Sequence, residues 1–356
     1  MTWREITPEQ LNALREPLIV DVRSPCEHVK ENIPHSINVP LLSDDERAIV
    51  GTIYARQGEV VARREALRII SPKIPSIVDA ILALRGQGQA LVIHCWRGGL
   101  RSEAVASFLS VVGIDCFRLT GGYKAWRKVI LKEFADDRYA FMPVTLHGLT
   151  GVGKTEVLAE LAKLGSKILD LEKLANHRGS VFGSLGLGMQ PTQKNFDAML
   201  WRSLQAFGNE AVFLEAESRK IGKIALPDFM LKRIAEGRRL LVTGTMRRRC
   251  ARILQEYAGH FDEGTVNQAF ESLALIKERL GTKRTQAIKE QVLGGQVEEA
   301  VEALLQEYYD PLYMHQIKKY EPYELIVSGD DPVAAAAAIA EWIAAKTVRQ
   351  AIARLS

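Results

Sequence analysis

The sequence predicts an α/β protein of two parallel-sheet domains in tandem, the second carrying a helical C-terminal part. Three observations predict it. Short apolar runs ending in polar residues alternate with amphipathic stretches, the pattern of buried strands joined by crossover helices. The alternation halts at the charged, proline-containing "ADDRYAFMP" and then restarts. A chain of 356 residues is also long for one core, at roughly 150 residues per domain. The expected domains are 1–136 and 143–345, with residues 250–325 as a helical extension of the second.

In the first half, "LIVDV" (18–22), "SINVP" (36–40) and "ALVIHC" (90–95) read as short strands. Residues 58–70 and 101–112 suit amphipathic helices, and "LTGGYKAWRKVILKEF" gives a Gly-Gly turn and a last helix. In the second half, "VTLHGLTGVGKTEVLAEL" reads as strand, loop and helix. "KILDL", "VFLEAE", "RRLLVTG" and "ELIVSG" are further strands, and Asp331-Pro332 opens an Ala-rich helix.

Lys and Arg number 47 against 43 Asp and Glu, a net +4 that permits a polyanionic partner without demanding one. "MTWREITPEQ" has no apolar core for a secretory signal, and the apolar stretch 333–345 is interrupted by Glu341 and too short to span a bilayer. The four cysteines, Cys26, Cys95, Cys116 and Cys250, lack paired zinc spacing. A cytoplasmic, reduced protein without a metal centre or membrane segment is expected. Cys26, Cys116 and Cys250 are read as packed or idle thiols.

"HCWRGGLRS" (94–102) sets Cys95 where a buried strand turns into a loop. Trp96, Arg97, Gly98, Gly99 and Leu100 wrap back over the sulfur before Arg101 starts a helix. Inward backbone N–H groups, the helix N-terminus and the two arginines favour an anionic sulfur or a bound oxyanion. Sulfurtransferases and cysteine phosphatases both use such a cradle. Asp21 and Arg23 could pair and brace it.

Gly148, four residues, then Gly153-Lys154-Thr155 is a Walker A pattern between a strand and a helix. With Gly151 these residues would hold a diphosphate, Lys154 adding charge and Thr155 a hydroxyl for Mg²⁺, which is optional here. Asp170 and Glu215 end neighbouring strands and are candidates for a substrate or metal, with Glu217 behind Glu215. "HRGSVFGSLGLGMQPTQKNF" (177–196) interleaves glycines with Phe182, Leu185, Leu187 and Met189, a pliable segment suited to an apolar substrate tail. His177 and Arg178 at its start could meet a phosphate. Basic groups at Arg247, Arg248 and Arg249, at Lys283-Arg284, and at Lys318 and Lys319 beside several tyrosines could contact RNA.

"DVRSPCEH", "IPHSINVP", "VIHCWRGGLRS" and "LTGGYKAW", in that order, resemble the rhodanese family. Two features depart from it. "ENIPHS" stands where Gly-His-Ile-Pro-Gly-Ala is usual, and the cysteine loop is one residue longer, making the cradle roomier. A rhodanese-like half followed by a P-loop NTPase-like half, with "LLSDDERAIVGTIY", "HRGSVFG" and "VFLEAESRKIGK", is similar to the bacterial tRNA 2-selenouridine synthases. That resemblance implies an enzyme that replaces sulfur by selenium in the wobble 2-thiouridine of a tRNA anticodon. It implies an S-geranylated intermediate, geranyl diphosphate and selenophosphate as substrates, and no tightly bound cofactor. Other readings stay open at this level. One is an ATP-dependent rhodanese-type sulfurtransferase acting on RNA or a small molecule. Another is a pair of binding modules in which Cys95 is a docking or redox-sensing thiol.

Overall fold

A computed structural model describes residues 3–257 and 263–353, so residues 258–262 of the expected helical extension lie outside the described residues. The chain forms two compact units. The first takes the described residues up to Arg138 and adds Thr192–Arg202; the second takes Tyr139–Pro191 and the described residues from Ser203 on. A division by sequence at 136–143 gives Thr192–Arg202 to the second domain. The structure corrects this, because the segment's polar side chains and Trp201 find their partners in the first unit.

The first unit is a five-stranded parallel sheet of β1 (Trp3–Ile6), β2 (Leu18–Asp21), β3 (Ile37–Asn38), β4 (Leu91–His94) and β5 (Cys116–Leu119), in the order β1-β5-β4-β2-β3. β2 and β4 are buried at every position, as continuous apolar strands covered on both faces must be. Their register sets Asp21 beside His94. The carboxylate that ends β2 therefore lies next to the residue that launches the cysteine loop.

The "ENIPHS" departure has a conformational answer. His35 adopts φ 64°, the left-handed region for which the usual glycine would be suited. An exposed histidine carries the left-handed strain.

The second unit is a parallel sheet of β6 (Met142–His147), β7 (Lys167–Ile168), β8 (Ala211–Glu215), β11 (Arg238–Thr243) and β12 (Leu325–Ser328), ordered β12-β11-β6-β8-β7. The antiparallel pair β9 (Lys220–Ile221) and β10 (Ile224–Ala225) forms a small ribbon beside it in sequence. The phosphate loop leaves the central strand β6, and the register sets Leu146 beside Glu215 at the end of β8. Ligands of open α/β sheets bind at such carboxyl ends. The helical part has its own apolar cluster, including Cys250, Leu273, Ile288, Leu305 and Tyr309, with Phe182 and Leu185 from the glycine-rich segment.

His35→Gly should stabilise the protein by about 0.5–1 kcal/mol, the left-handed strain relieved less the backbone entropy of glycine. Urea unfolding reads the difference; a destabilised variant would mean that the imidazole contributes more than its backbone costs.

Candidate functional site

In the first unit, Cys95 is buried, its Sγ 3.3 Å from Ser102 Oγ and 3.8 Å from Gly99 O. The loop is pinned from outside. The N–H groups of Tyr123 and Lys124, opening the helix Gly122–Asp136, donate to the carbonyls of Cys95 (2.9 Å) and Trp96 (3.0 Å). Gly98, at φ 63°, fits because a side chain there would sit 2.6 Å from Leu119 O. The backbone N–H groups of Trp96 to Arg101 have no acceptor among the described residues. Six unspent donors in a loop that leads into a helix suit an anion.

Around this loop the cations divide. Arg23 is fully buried, its guanidinium holding Asp21 (Nη2–Oδ2 2.7 Å) and donating to Glu31 O (2.5 Å). It also lies over the rings of Tyr123 (4.7 Å) and Trp96 (5.9 Å). Burial opposes charge on Asp21, but the imidazoles of His94 and His28 and the Arg23 guanidinium overcome it and hold the carboxyl well below the usual range. Burial pushes His94 down to about 4, so its imidazole is neutral at pH 7. Arg101, assigned by sequence to the anion loop, makes two bonds to Glu27 (2.5 and 3.2 Å). Arg97 is exposed and has no ion pair among the described residues.

In the second unit, the phosphate loop opens on a cavity of about 1080 Å³. Gly148, Gly151, Gly153, Lys154 and Thr155 form one wall. Lys154 Nζ lies 3.4 Å from the carbonyls of Gly148 and Leu149 and 3.8 Å from Glu215 Oε2. Thr155 Oγ1 donates to Glu215 Oε1 at 2.6 Å, so a hydroxyl and a carboxylate stand together where a P-loop metal would need them. Glu172, Glu215 and Glu217 offer oxygens within 4.8 Å of one another. Burial, together with the charges of Glu215 and Glu217, pushes Glu172 well up; burial and Glu215 do the same to Glu217. Burial, with Arg239 and Lys154 nearby, lowers His147 to about 4, and its Nε2 has no partner among the described residues.

The same cavity is also lined by apolar side chains, Phe182, Leu185 and Leu187 with Phe270, Leu273, Ile288, Leu304, Tyr309 and Leu312. Met189, grouped with them by sequence, is 95% exposed and does not line the cavity. The reason is local: Asn176 Nδ2 holds the carbonyls of Gly188 and Met189 (3.1 and 3.2 Å) and Gln190 is bound by two further carbonyls, so the segment has already left the cavity there.

Other candidates take different places. Asp170 lines the cavity and caps the helix Leu171–Ala175 by accepting from Lys173 N (2.8 Å). His177 lines it with an unpartnered Nδ1. Arg178 also lines the cavity, with its guanidinium tied to Leu185 O (2.6 Å) and Glu256 (2.5 Å). Arg249 is buried, bonded to Thr150 O (2.8 Å) and Asp310 (2.9 Å), and so braces the phosphate loop instead of facing RNA. Arg247, Arg248, Lys318 and Lys319 are exposed, whereas Tyr308 and Tyr309 are buried toward the cavity. Ser102, Glu27, Glu172 and Arg252 are site residues that pattern reasoning did not single out. Among the described residues no helix is long and apolar enough to cross a membrane.

Glu172→Gln should change how stability depends on pH. Glu172 ionises near its ordinary 4.5 when unfolded but higher when folded, so above pH 4.5 the unfolded chain sheds a proton that the fold retains. Wild-type stability is thereby eroded as pH rises, and the variant escapes this. Urea unfolding at pH 5 and pH 8 should show the variant's advantage growing with pH; a constant difference would contradict the burial and repulsion described.

Residues 141–349 match the family model described as the tRNA 2-selenouridine synthase AAA domain, and residues 7–129 match the rhodanese-like domain. A protein of Marinobacter nauticus named tRNA 2-selenouridine synthase is 33% identical over 98% of this chain and 100% of its own length. Proteins of the same name from Shewanella halifaxensis and Pseudomonas fluorescens are each 35% identical, covering 88% and 85% of this chain and 92% and 89% of theirs. With its phosphate loop, cysteine loop and both matched domains, the chain belongs to the tRNA 2-selenouridine synthase family.

Proposed function

We propose that this protein replaces sulfur by selenium in the wobble 2-thiouridine of tRNA through an S-geranylated intermediate, with geranyl diphosphate and selenophosphate as substrates. The observation that carries the reading is a single cavity lined both by the phosphate loop and by a cluster of apolar side chains. A prenyl diphosphate has that same division.

In the first step the thiocarbonyl sulfur attacks C1 of the geranyl group. A C–S bond forms, the C–O bond to diphosphate breaks, and the uridine N3 proton is lost. The phosphate-loop N–H groups and Lys154 take the charge that develops on the leaving diphosphate. Phe182, Leu185 and Leu187 exclude water from the terpene. Thr155 and Glu215 fit a Mg²⁺ ion, which would supply further charge neutralisation when bound.

In the second step the selenium of selenophosphate attacks C2, and the alkylated sulfur takes a proton and departs as geranylthiol, a far better leaving group than the unmodified thiocarbonyl sulfur. Water then cleaves the P–Se bond, releasing phosphate and leaving 2-selenouridine with its N3 proton restored. The Cys95 loop, with its unspent N–H groups, handles the selenium donor or a selenium-carrying intermediate. Arg247, Arg248, Lys318 and Lys319 are exposed cations available to the tRNA backbone.

The test is nucleoside mass spectrometry of thiolated tRNA incubated with geranyl diphosphate and selenophosphate. Lys154→Ala should lose geranylation by at least about 100-fold, the order expected when one transition-state charge contact is removed. Cys95→Ala should geranylate normally and accumulate that intermediate. Normal geranylation by Lys154→Ala refutes the diphosphate half, and full selenation by Cys95→Ala refutes the other. Nucleotide hydrolysis stimulated by tRNA, with no response to geranyl diphosphate, would favour an ATP-dependent sulfurtransferase instead.

A further inference from the structure

The segment Thr192–Arg202 comes from the second half of the sequence yet belongs to the first unit. It is fastened there at many points. Thr192 Oγ1 donates to Lys30 O (2.7 Å), Asn195 Oδ1 accepts from Asn32 N (3.0 Å), and Trp201 Nε1 donates to Glu133 Oε2 (2.6 Å). Asp197 pairs with Arg127, and Trp201 meets Trp126 edge-on at 5.8 Å. The residues that receive it, Lys30 to Asn32, run into "ENIPHS", where the rhodanese pattern would put glycine at 31.

This docking delivers one cation to the cysteine loop. Lys194 Nζ lies 5.8 Å from the centre of the Trp96 ring and 2.6 Å from Glu31 Oε2, with its side chain half exposed. Of the other cations at the loop, Arg23 is committed to buried Asp21 and Arg101 to Glu27. Arg97 and Lys194 keep charge accessible to a ligand, and Lys194 is held by a single carboxylate. A loop of neutral N–H dipoles suits an anion, but a phosphate-class dianion calls for full positive charge as well.

We propose that Lys194 belongs to the anion site of the Cys95 loop, where it exchanges Glu31 for the phosphate oxygens of a chalcogenophosphate donor. The assignment rests on reading that loop as the selenium-donor site. It makes the site composite: residues 1–138 alone lack one of its charges.

The full-length protein can be titrated calorimetrically with thiophosphate as the probe. Lys194→Gln should weaken binding about tenfold, as expected for loss of one charge-assisted contact, while Lys194→Arg stays within about threefold of wild type. Glu31→Gln releases Lys194 and should tighten binding by about two- to fivefold, the reverse of Lys194→Gln. A structural strut would not give opposite signs. Unchanged affinity in Lys194→Gln, or weakening by Glu31→Gln, overturns the proposal while leaving the donor-site reading intact. A wild-type protein that does not bind thiophosphate overturns both. Thermal unfolding of each variant checks that the segment remains folded, and the sign of the Glu31→Gln effect decides the matter if Lys194→Gln does not fold.

Discussion

The first unit is organised around one buried guanidinium. Arg23 joins the end of β2 through Asp21, the "ENIPHS" turn through the carbonyl of Glu31, and the cysteine loop through the face of Trp96. Burying a charge is tolerable only when it is paired and hydrogen-bonded, and removing one member of such a pair typically costs about 3–5 kcal/mol. The guanidinium therefore enforces a single arrangement of three chain segments. Because Asp21 also lies opposite His94, the constraint reaches the residue before Cys95. The loop can leave its N–H groups unspent because its shape is imposed from below by Arg23 and from outside by the N-terminus of the helix Gly122–Asp136.

The second unit solves an equivalent problem with backbone and carboxylates. The phosphate loop is braced by Arg249 through the carbonyl of Thr150 and by Arg252, whose guanidinium lies against Gly153. Lys154 rests on loop carbonyls beside Glu215. Three acids beside one lysine leave an excess of negative charge, which the half-buried Glu172 and Glu217 relieve by holding protons more tightly. Lys154, the loop and the apolar side chains thus share one cavity.

Much of this was legible in the sequence, for a physical reason. Both anion loops are local: Cys95 to Arg101 and Gly148 to Thr155 each carry their glycines, donors and helix start within eight residues. The apolar members of the glycine-rich segment were visible as far as Leu187, but where the chain leaves the cavity depends on Asn176 and Gln190, which no period marks. Arg249 looked like surface charge because Arg247 and Arg248 flank it; its burial depends on Asp310, 61 residues away. Glu172 lies within an ordinary amphipathic stretch and gains meaning only beside Glu215. The contact of Asn195 with Asn32 spans 163 positions, and no spacing rule reaches that far.

In the proposed mechanism two anion loops perform two separable half-reactions on one nucleotide. The most direct measurement gives Lys154→Ala protein a tRNA already geranylated by Cys95→Ala protein, with selenophosphate, and follows 2-selenouridine by mass spectrometry. Selenation should run at close to the wild-type rate from that substrate and be at least about 100-fold slower from 2-thiouridine tRNA. If the variant cannot selenate the geranylated tRNA, the phosphate loop is needed in both steps and the division of labour is wrong.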